Sequence, residues 1–199
     1  FNGIALVKLM GRDSGFIAAH AALAIQEVNF VLIPEAPFDL YGQRGFLRIL
    51  RKRLEERHHA VVVVAEGAGQ DLFDKSEQVT DASGNIKHKD IGVYLKEKIT
   101  EEFTEKQFPF SIRYIDPSYI IRSAPANPND SKFCNLLAQN SVHAAMAGKT
   151  DFVVGYWNDL FTLIPIELAT SQRKKIDING ELWWHVIEAT GQPSSMKNP

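Results

Sequence analysis

The six residues Ala60 to Ala65, AVVVVA, followed at once by Glu66-Gly67-Ala68-Gly69, decide the architecture. Four consecutive β-branched residues favour the pleated conformation. Apolarity without alternation marks a strand buried on both faces, the habit of a parallel sheet covered by helices. This run is therefore central in a sheet. Just upstream, Phe46, Leu47, Leu50 and Leu54 recur at helical spacing between Arg44 and Arg57, while Arg48, Arg51, Lys52 and Arg53 fill other positions. That is an amphipathic surface helix, its charges read as a solvated face.

Further out the alternation continues. Ile4 to Met10 is apolar apart from Lys8 and ends at Gly11, a buried strand. From Ser14 the chain is apolar nearly all round through Ile25, a helix packed on a sheet, and Phe30 to Ile33 is a second strand stopped by Pro34. On the other side of AVVVVA lies a polar stretch, Asp74 to Asp90, read as an inserted loop around Ser83-Gly84-Asn85. A helix from about Gly92 to Phe103 and a strand around Ser111 to Ile115 follow. Asp116-Pro117-Ser118-Tyr119 and the stretch Pro125 to Asn129 flank a short segment, Tyr119 to Ala124, expected to be a loop carrying chemistry. Asn129 or Asp130 is expected to cap a helix ended by Gly148. Asp151 to Gly155 and Phe161 to Ile166 read as further strands, and Leu182 to Thr190 as a last helix ended by Gly191 and Pro193. Strands crossed over by helices in this way predict an α/β domain with a largely parallel sheet.

Composition narrows the function. Of 199 residues 45% are hydrophobic, enough for a core, and 22 Lys and Arg against 24 Asp and Glu leave a net charge of −2. That balance argues against nucleic acid or an anionic membrane as a general partner. No run approaches the roughly 20 apolar residues of a membrane-spanning helix. The single Cys134 cannot form an internal disulfide, which suits a reducing compartment. The chain starts at Phe1 and enters apolar sequence almost at once, as expected of a piece of a longer protein.

In an open parallel sheet ligands bind beyond the carboxyl ends of the strands, which singles out three places. Met10-Gly11-Arg12 precedes a helix: Gly11 admits a ligand to the backbone, Arg12 forks onto phosphate, and the helix N–H groups favour an anion. An arginine there also serves as an ordinary surface residue. Glu66, ending AVVVVA and followed by glycines, accepts hydrogen bonds from sugar hydroxyls or is simply a surface carboxylate beside a tight turn. Tyr119 and Arg122, three residues apart, grip one phosphate together, or else pack in the core and pair with an acid. The histidines His20, His58, His59, His88, His143 and His185 show no ligand spacing, so no metal site is expected. His143 reads as a core or interface residue, and Cys134, placed in the first turn of its helix, has no base at a telling spacing.

Several blocks, in order, carry a resemblance: VKLMGRDSGFIA (Val7 to Ala18), VLIPEAPF (Val31 to Phe38), VVVVAEGAGQDL (Val61 to Leu72), the long block Tyr114 to Thr150 opening YIDPSYIIRSAPANPND, and ATGQP (Ala189 to Pro193). Together they resemble the 6-phosphofructokinases, most closely the ATP-type clade of plants, some protists and some bacteria. The resemblance implies a three-layer α/β sandwich spanning residues 1–199, the fructose 6-phosphate-binding part, with polar loop 74–90 and a C-terminal segment 156–199. It assigns Met10, Gly11 and Arg12 to fructose 6-phosphate, with Arg12 by the phosphoryl group in transit. Glu66 goes to sugar hydroxyls, and Tyr119 and Arg122 to the 6-phosphate. Gly3 stands where many bacterial members have an arginine reaching a neighbouring subunit's substrate.

The resemblance also implies a nucleotide-binding half, with ATP, Mg2+ and the base aspartate, that these residues do not contain. This chain by itself is then expected not to turn over. A homo-oligomeric, allosteric, cytoplasmic enzyme of glycolysis is implied, with pyrophosphate as an alternative donor and an inactive sugar-phosphate-binding regulatory subunit as an alternative role.

Overall fold

The computed structural model describes residues 2–73 and 88–199. Most of the inserted polar loop, residues 74–87, lies outside them. In chain order the elements are β1 (Asn2–Leu9), α1 (Phe16–Ile25), β2 (Phe30–Leu32), α2 (Phe46–Arg57), β3 (His59–Ala65), α3 (Ile91–Glu105), β4 (Phe110–Ile115), α4 (Ser118–Ser123), α5 (Pro128–Met146), β5 (Phe152–Trp157), β6 (Leu160–Pro165), α6 (Ile166–Thr170) and α7 (Glu181–Thr190). They form two compact units, one of Phe1–Tyr119 with Lys175–Pro199, the other of Ile120–Lys174.

The first unit is built on a parallel sheet in the order β2-β3-β1-β4, with Leu6 facing Val62 on one neighbour and Tyr114 on the other. The valine run is central, as its sequence predicts. Because successive side chains alternate, Ile4, Leu6, Val62 and Val64 meet the buried stripe of α2 (Phe46, Leu47, Leu50, Leu54) and that of α3 (Leu95, Ile99, Phe103). Val31, Val63 and Ala65 pack instead with Ala18, Ala19 and Ala22 of α1 and with Trp183 and Val186 of α7. Helices on both faces give the three layers. Each fully buried leucine on α2 contributes about 1.5–3 kcal/mol.

The β2 edge is closed by a side chain. Gln192 is buried, accepts the Val31 N–H at 2.6 Å and donates to the Val31 carbonyl at 3.3 Å, as a neighbouring strand would. The ATGQP block thus acquires a structural reason. Gln192→Ala is expected to cost about 2 kcal/mol by stranding two buried backbone groups. Urea unfolding reads this directly, and an unmoved midpoint would show that the edge needs no such partner.

The second unit departs from expectation. β5 and β6 do not extend the parallel sheet but pair antiparallel with one another, Val154 opposite Leu163. The reason lies in Asn158 and Asp159, both at positive φ (47° and 62°), which reverse the chain in two residues where a parallel partner needs a long crossover. The helix start also differs. Asn127 caps α5 by accepting the Asp130 N–H at 2.9 Å, and Pro128 takes the first helical position, where its missing N–H costs nothing. The segment Tyr119 to Ala124, expected as loop, mostly belongs to the short helix α4. Among the described residues no helix is long and apolar enough to cross a membrane.

Candidate functional site

β1 and β3 end side by side, Leu9 opposite Ala65, and their ladder continues one step as Glu66 N–H donates to the Leu9 carbonyl at 2.9 Å. Met10-Gly11-Arg12 and Glu66-Gly67 therefore leave the sheet together. Gly11 adopts φ +149° and its carbonyl accepts the Ser14 N–H at 2.8 Å, a tight turn that no residue with a Cβ enters without meeting the Ser14 carbonyl. Arg12 then takes φ +44°, a left-handed conformation costing roughly 1–2 kcal/mol for a residue with a side chain. Its turn is held from two sides. The Arg12 N–H donates to Glu66 Oε1 at 2.7 Å, and the Arg12 carbonyl sits where a side chain on residue 67 would begin, 1.8 Å from an ideal Cβ on Gly67.

Gln70 holds the other end of this turn. Its amide donates to the Glu66 and Lys89 carbonyls, each at 3.0 Å, and accepts the Lys89 N–H at 3.1 Å. The glycine-rich AEGAGQ stretch was the only signal for it. Asp13 pairs with His88 at 3.2 Å. A carboxylate also meets the residue before α1. Gly15 N–H donates to both oxygens of Glu35, at 3.1 and 3.0 Å, and the Ile176 N–H joins them at 3.0 Å. An internal carboxylate thus takes the N–H of the residue that caps α1.

Tyr119 and Arg122 sit one turn apart on α4, so they share a face. Tyr119 is 85% exposed and Arg122 is exposed, with no acid paired to it among the described residues. The residues just ahead of α4 in the chain join a charge cluster of which the sequence marks only Lys8, as a break in apolarity. Lys8 Nζ reaches Asp90 at 2.6 Å and Asp116 at 2.9 Å, and the Tyr114 hydroxyl donates to Asp90 at 3.0 Å. Burial by itself lowers the Lys8 pKa, but hydrogen bonds with Asp90, Asp116 and Tyr114 outweigh it and hold the ammonium above the ordinary lysine value. Burial likewise opposes ionisation of Asp90 and Asp116, yet Lys8 and nearby N–H or hydroxyl donors keep both below the usual carboxylate range. Burial, with the Asp90 contact, pushes the Tyr114 phenol up to about 12.

Among the described residues no three His, Cys, Asp or Glu side chains gather into a possible metal site. Cys134 is exposed and lies in the second turn of α5, because that helix begins earlier than expected; His143 is exposed too. Chemically, the carboxyl end of β1 and β3 presents a backbone-fixed arginine and a half-exposed carboxylate. The pair suits a ligand that has both phosphoryl oxygens and hydroxyls.

The model of the phosphofructokinase family matches residues 1–145. An ATP-dependent 6-phosphofructokinase of Borreliella burgdorferi is 54% identical over 204 residues, covering 100% of this chain and 46% of its own length. The ATP-dependent 6-phosphofructokinase 1 of Arabidopsis thaliana is 48% identical, covering 98% and 42%. This chain spans about half the length of the curated relatives it matches. Among solved structures, the pyrophosphate-dependent phosphofructokinase from Marinobacter aquaeolei aligns with TM-score 0.67 at 19% identity, covering 94% of this chain and 47% of that one, a likeness of fold. On the family match and these relatives together, the chain belongs to the phosphofructokinase family.

Proposed function

We propose that this chain is the fructose 6-phosphate-binding part of an ATP-dependent 6-phosphofructokinase, which moves the γ-phosphoryl group of ATP to the sugar's 1-hydroxyl. The observation that carries the reading is the 2.7 Å hydrogen bond from Arg12 N–H to Glu66, which puts a phosphate-type and a hydroxyl-type contact at one place. In this reading Met10 and Gly11 line the sugar and Glu66 accepts hydrogen bonds from its hydroxyls. Tyr119 and Arg122 hold the 6-phosphate, and Arg12 meets the phosphoryl group in transit.

As the 1-oxygen bonds to the γ-phosphorus, the bond from that phosphorus to the bridging oxygen of ADP breaks. The hydroxyl proton leaves to a base outside this chain. Phosphoryl transfer relies mainly on positioning and charge stabilisation, and Arg12 supplies charge where it grows. In this reading Mg2+ and ATP are held by the nucleotide-binding part that the resemblance implies, and no step here is routed through them. A homo-oligomeric enzyme in the cytoplasm goes with this reading, although two Arabidopsis thaliana relatives are named chloroplastic.

The test is Arg122→Ala in the full-length enzyme. Loss of a charge-assisted phosphate contact should cost about 2 kcal/mol, roughly a thirtyfold rise in KM for fructose 6-phosphate, with KM for ATP nearly unchanged. An unchanged sugar KM would remove the assignment.

A further inference from the structure

We infer that Lys8 is a positioning residue for α4, tying the start of the helix that carries Tyr119 and Arg122 to the strand that runs into Met10-Gly11-Arg12. The inference rests on the reading that those two side chains bind the sugar's 6-phosphate.

The geometry runs through one carboxylate. Asp116 Oδ2 lies 2.9 Å from Lys8 Nζ, while its Oδ1 accepts the Ser118 N–H at 3.2 Å and the Ser118 hydroxyl. Ser118 is the first residue of α4, so Lys8 reaches the helix in two links. A second arm fixes Lys8 itself. Asp90, 2.6 Å away, caps α3 by accepting the N–H groups of Gly92 and Val93 at 2.9 and 3.0 Å, and Tyr114 on β4 donates to the same carboxylate. That phenol reaches Asp90 because residue 92 has no side chain, an ideal Cβ there falling 2.2 Å from the Tyr114 ring.

An ammonium with 15% side-chain exposure in the apolar run Ile4 to Met10 is a costly choice for stability, and an apolar residue would serve the sheet as well or better. What the charge supplies is direction: it orients Asp116, and Asp116 sets where the first turn of α4 begins. α4 has only six residues, and the Asp116 contacts hold the first of them.

The test uses the full-length enzyme with four variants. Lys8→Met keeps the length of the side chain and removes the charge, and it should raise KM for fructose 6-phosphate roughly tenfold while KM for ATP stays put. Lys8→Arg should recover most of that loss, and Asp116→Asn should reproduce the rise while leaving an oxygen for Ser118. The deciding measurement is the double variant Lys8→Met with Arg122→Ala. If Lys8 acts through α4, the two losses combine to clearly less than their product, because with Arg122 gone only the Tyr119 contact is left to disturb; fully multiplied losses overturn the inference.

A Lys8→Met enzyme with unchanged sugar KM overturns it as well, as does one in which both substrates and the melting temperature suffer alike. Should Lys8→Met fail to fold, Asp116→Asn carries the same comparison. Arg122→Ala without effect removes the phosphate-grip reading itself. Arg122→Ala with its expected effect beside a silent Lys8→Met and Asp116→Asn removes only the role given to Lys8.

Discussion

Replacing Arg12 by alanine in the full-length enzyme is expected to lower kcat roughly 10²- to 10³-fold, with a much smaller change in KM for fructose 6-phosphate. The asymmetry follows from the place assigned to the guanidinium. A charge that meets the phosphoryl group only as it passes between oxygens is felt more strongly in the transition state than in the bound ground state, so its loss falls on the rate. The backbone makes the test clean. The turn at Arg12 is held by its own N–H on Glu66 and its carbonyl against Gly67, neither of which depends on the side chain. Alanine at a φ of +44° bears a strain similar to that of arginine, so folding should survive. Arg12→Lys should restore only part of the rate, because an ammonium cannot present two parallel N–H donors. Pre-steady-state measurement of the transfer step decides the matter, and a variant that loses sugar affinity with kcat intact would place Arg12 on the bound substrate instead.

Gly67→Ala is the second large effect expected. A methyl group at this position falls 1.8 Å from the Arg12 carbonyl oxygen, and the obstacle is backbone, which cannot rotate aside as a side chain does. Either the Arg12 turn or the start of the Glu66 turn must shift by an ångström or more. A displacement of that size costs on the order of 10²-fold in kcat/KM where geometry is the source of catalysis. The sheet beneath need not melt, since Leu9 and Ala65 are paired before the clash begins. The expected signature is a nearly inactive enzyme whose circular dichroism stays close to that of the parent. Near-normal turnover would mean that the contact between the two turns does not shape the site.

The layers of the first unit were legible because periodicity reports burial directly: AVVVVA is buried nearly throughout, and α2 buries the four apolar residues that its spacing selects. That Met10-Gly11-Arg12 and Glu66 leave the sheet together was legible because the apolar runs before them end there, Leu9 opposite Ala65. The cluster of Lys8, Asp90 and Asp116 was not, since Lys8 meets carboxylates far along the chain and a single charge in an apolar run does not say whom it meets. The antiparallel pairing of β5 with β6 was not legible, and the reason is turn chemistry. Asn158-Asp159 is an ordinary pair by composition, and only its two positive φ values reveal a reversal. The start of α5 slipped for a similar reason: Asn127, Asn129 and Asp130 are all good caps, and it is the Pro128 ring that selects the first.

The first unit takes its α7 from beyond the second unit, and that interruption has a consequence in time. Trp183 and Val186 cover the same sheet face as α1, so this layer lacks one of its two helices until Glu181–Thr190 has been synthesised. The hairpin and helices of Ile120–Lys174 leave the ribosome before that happens. A nascent chain therefore carries an unfinished hydrophobic face past an inserted unit whose own hairpin strands are near neighbours in sequence. The interval in which Val31, Val63 and Ala65 await their last cover leaves exposed the kind of apolar surface that holding chaperones bind.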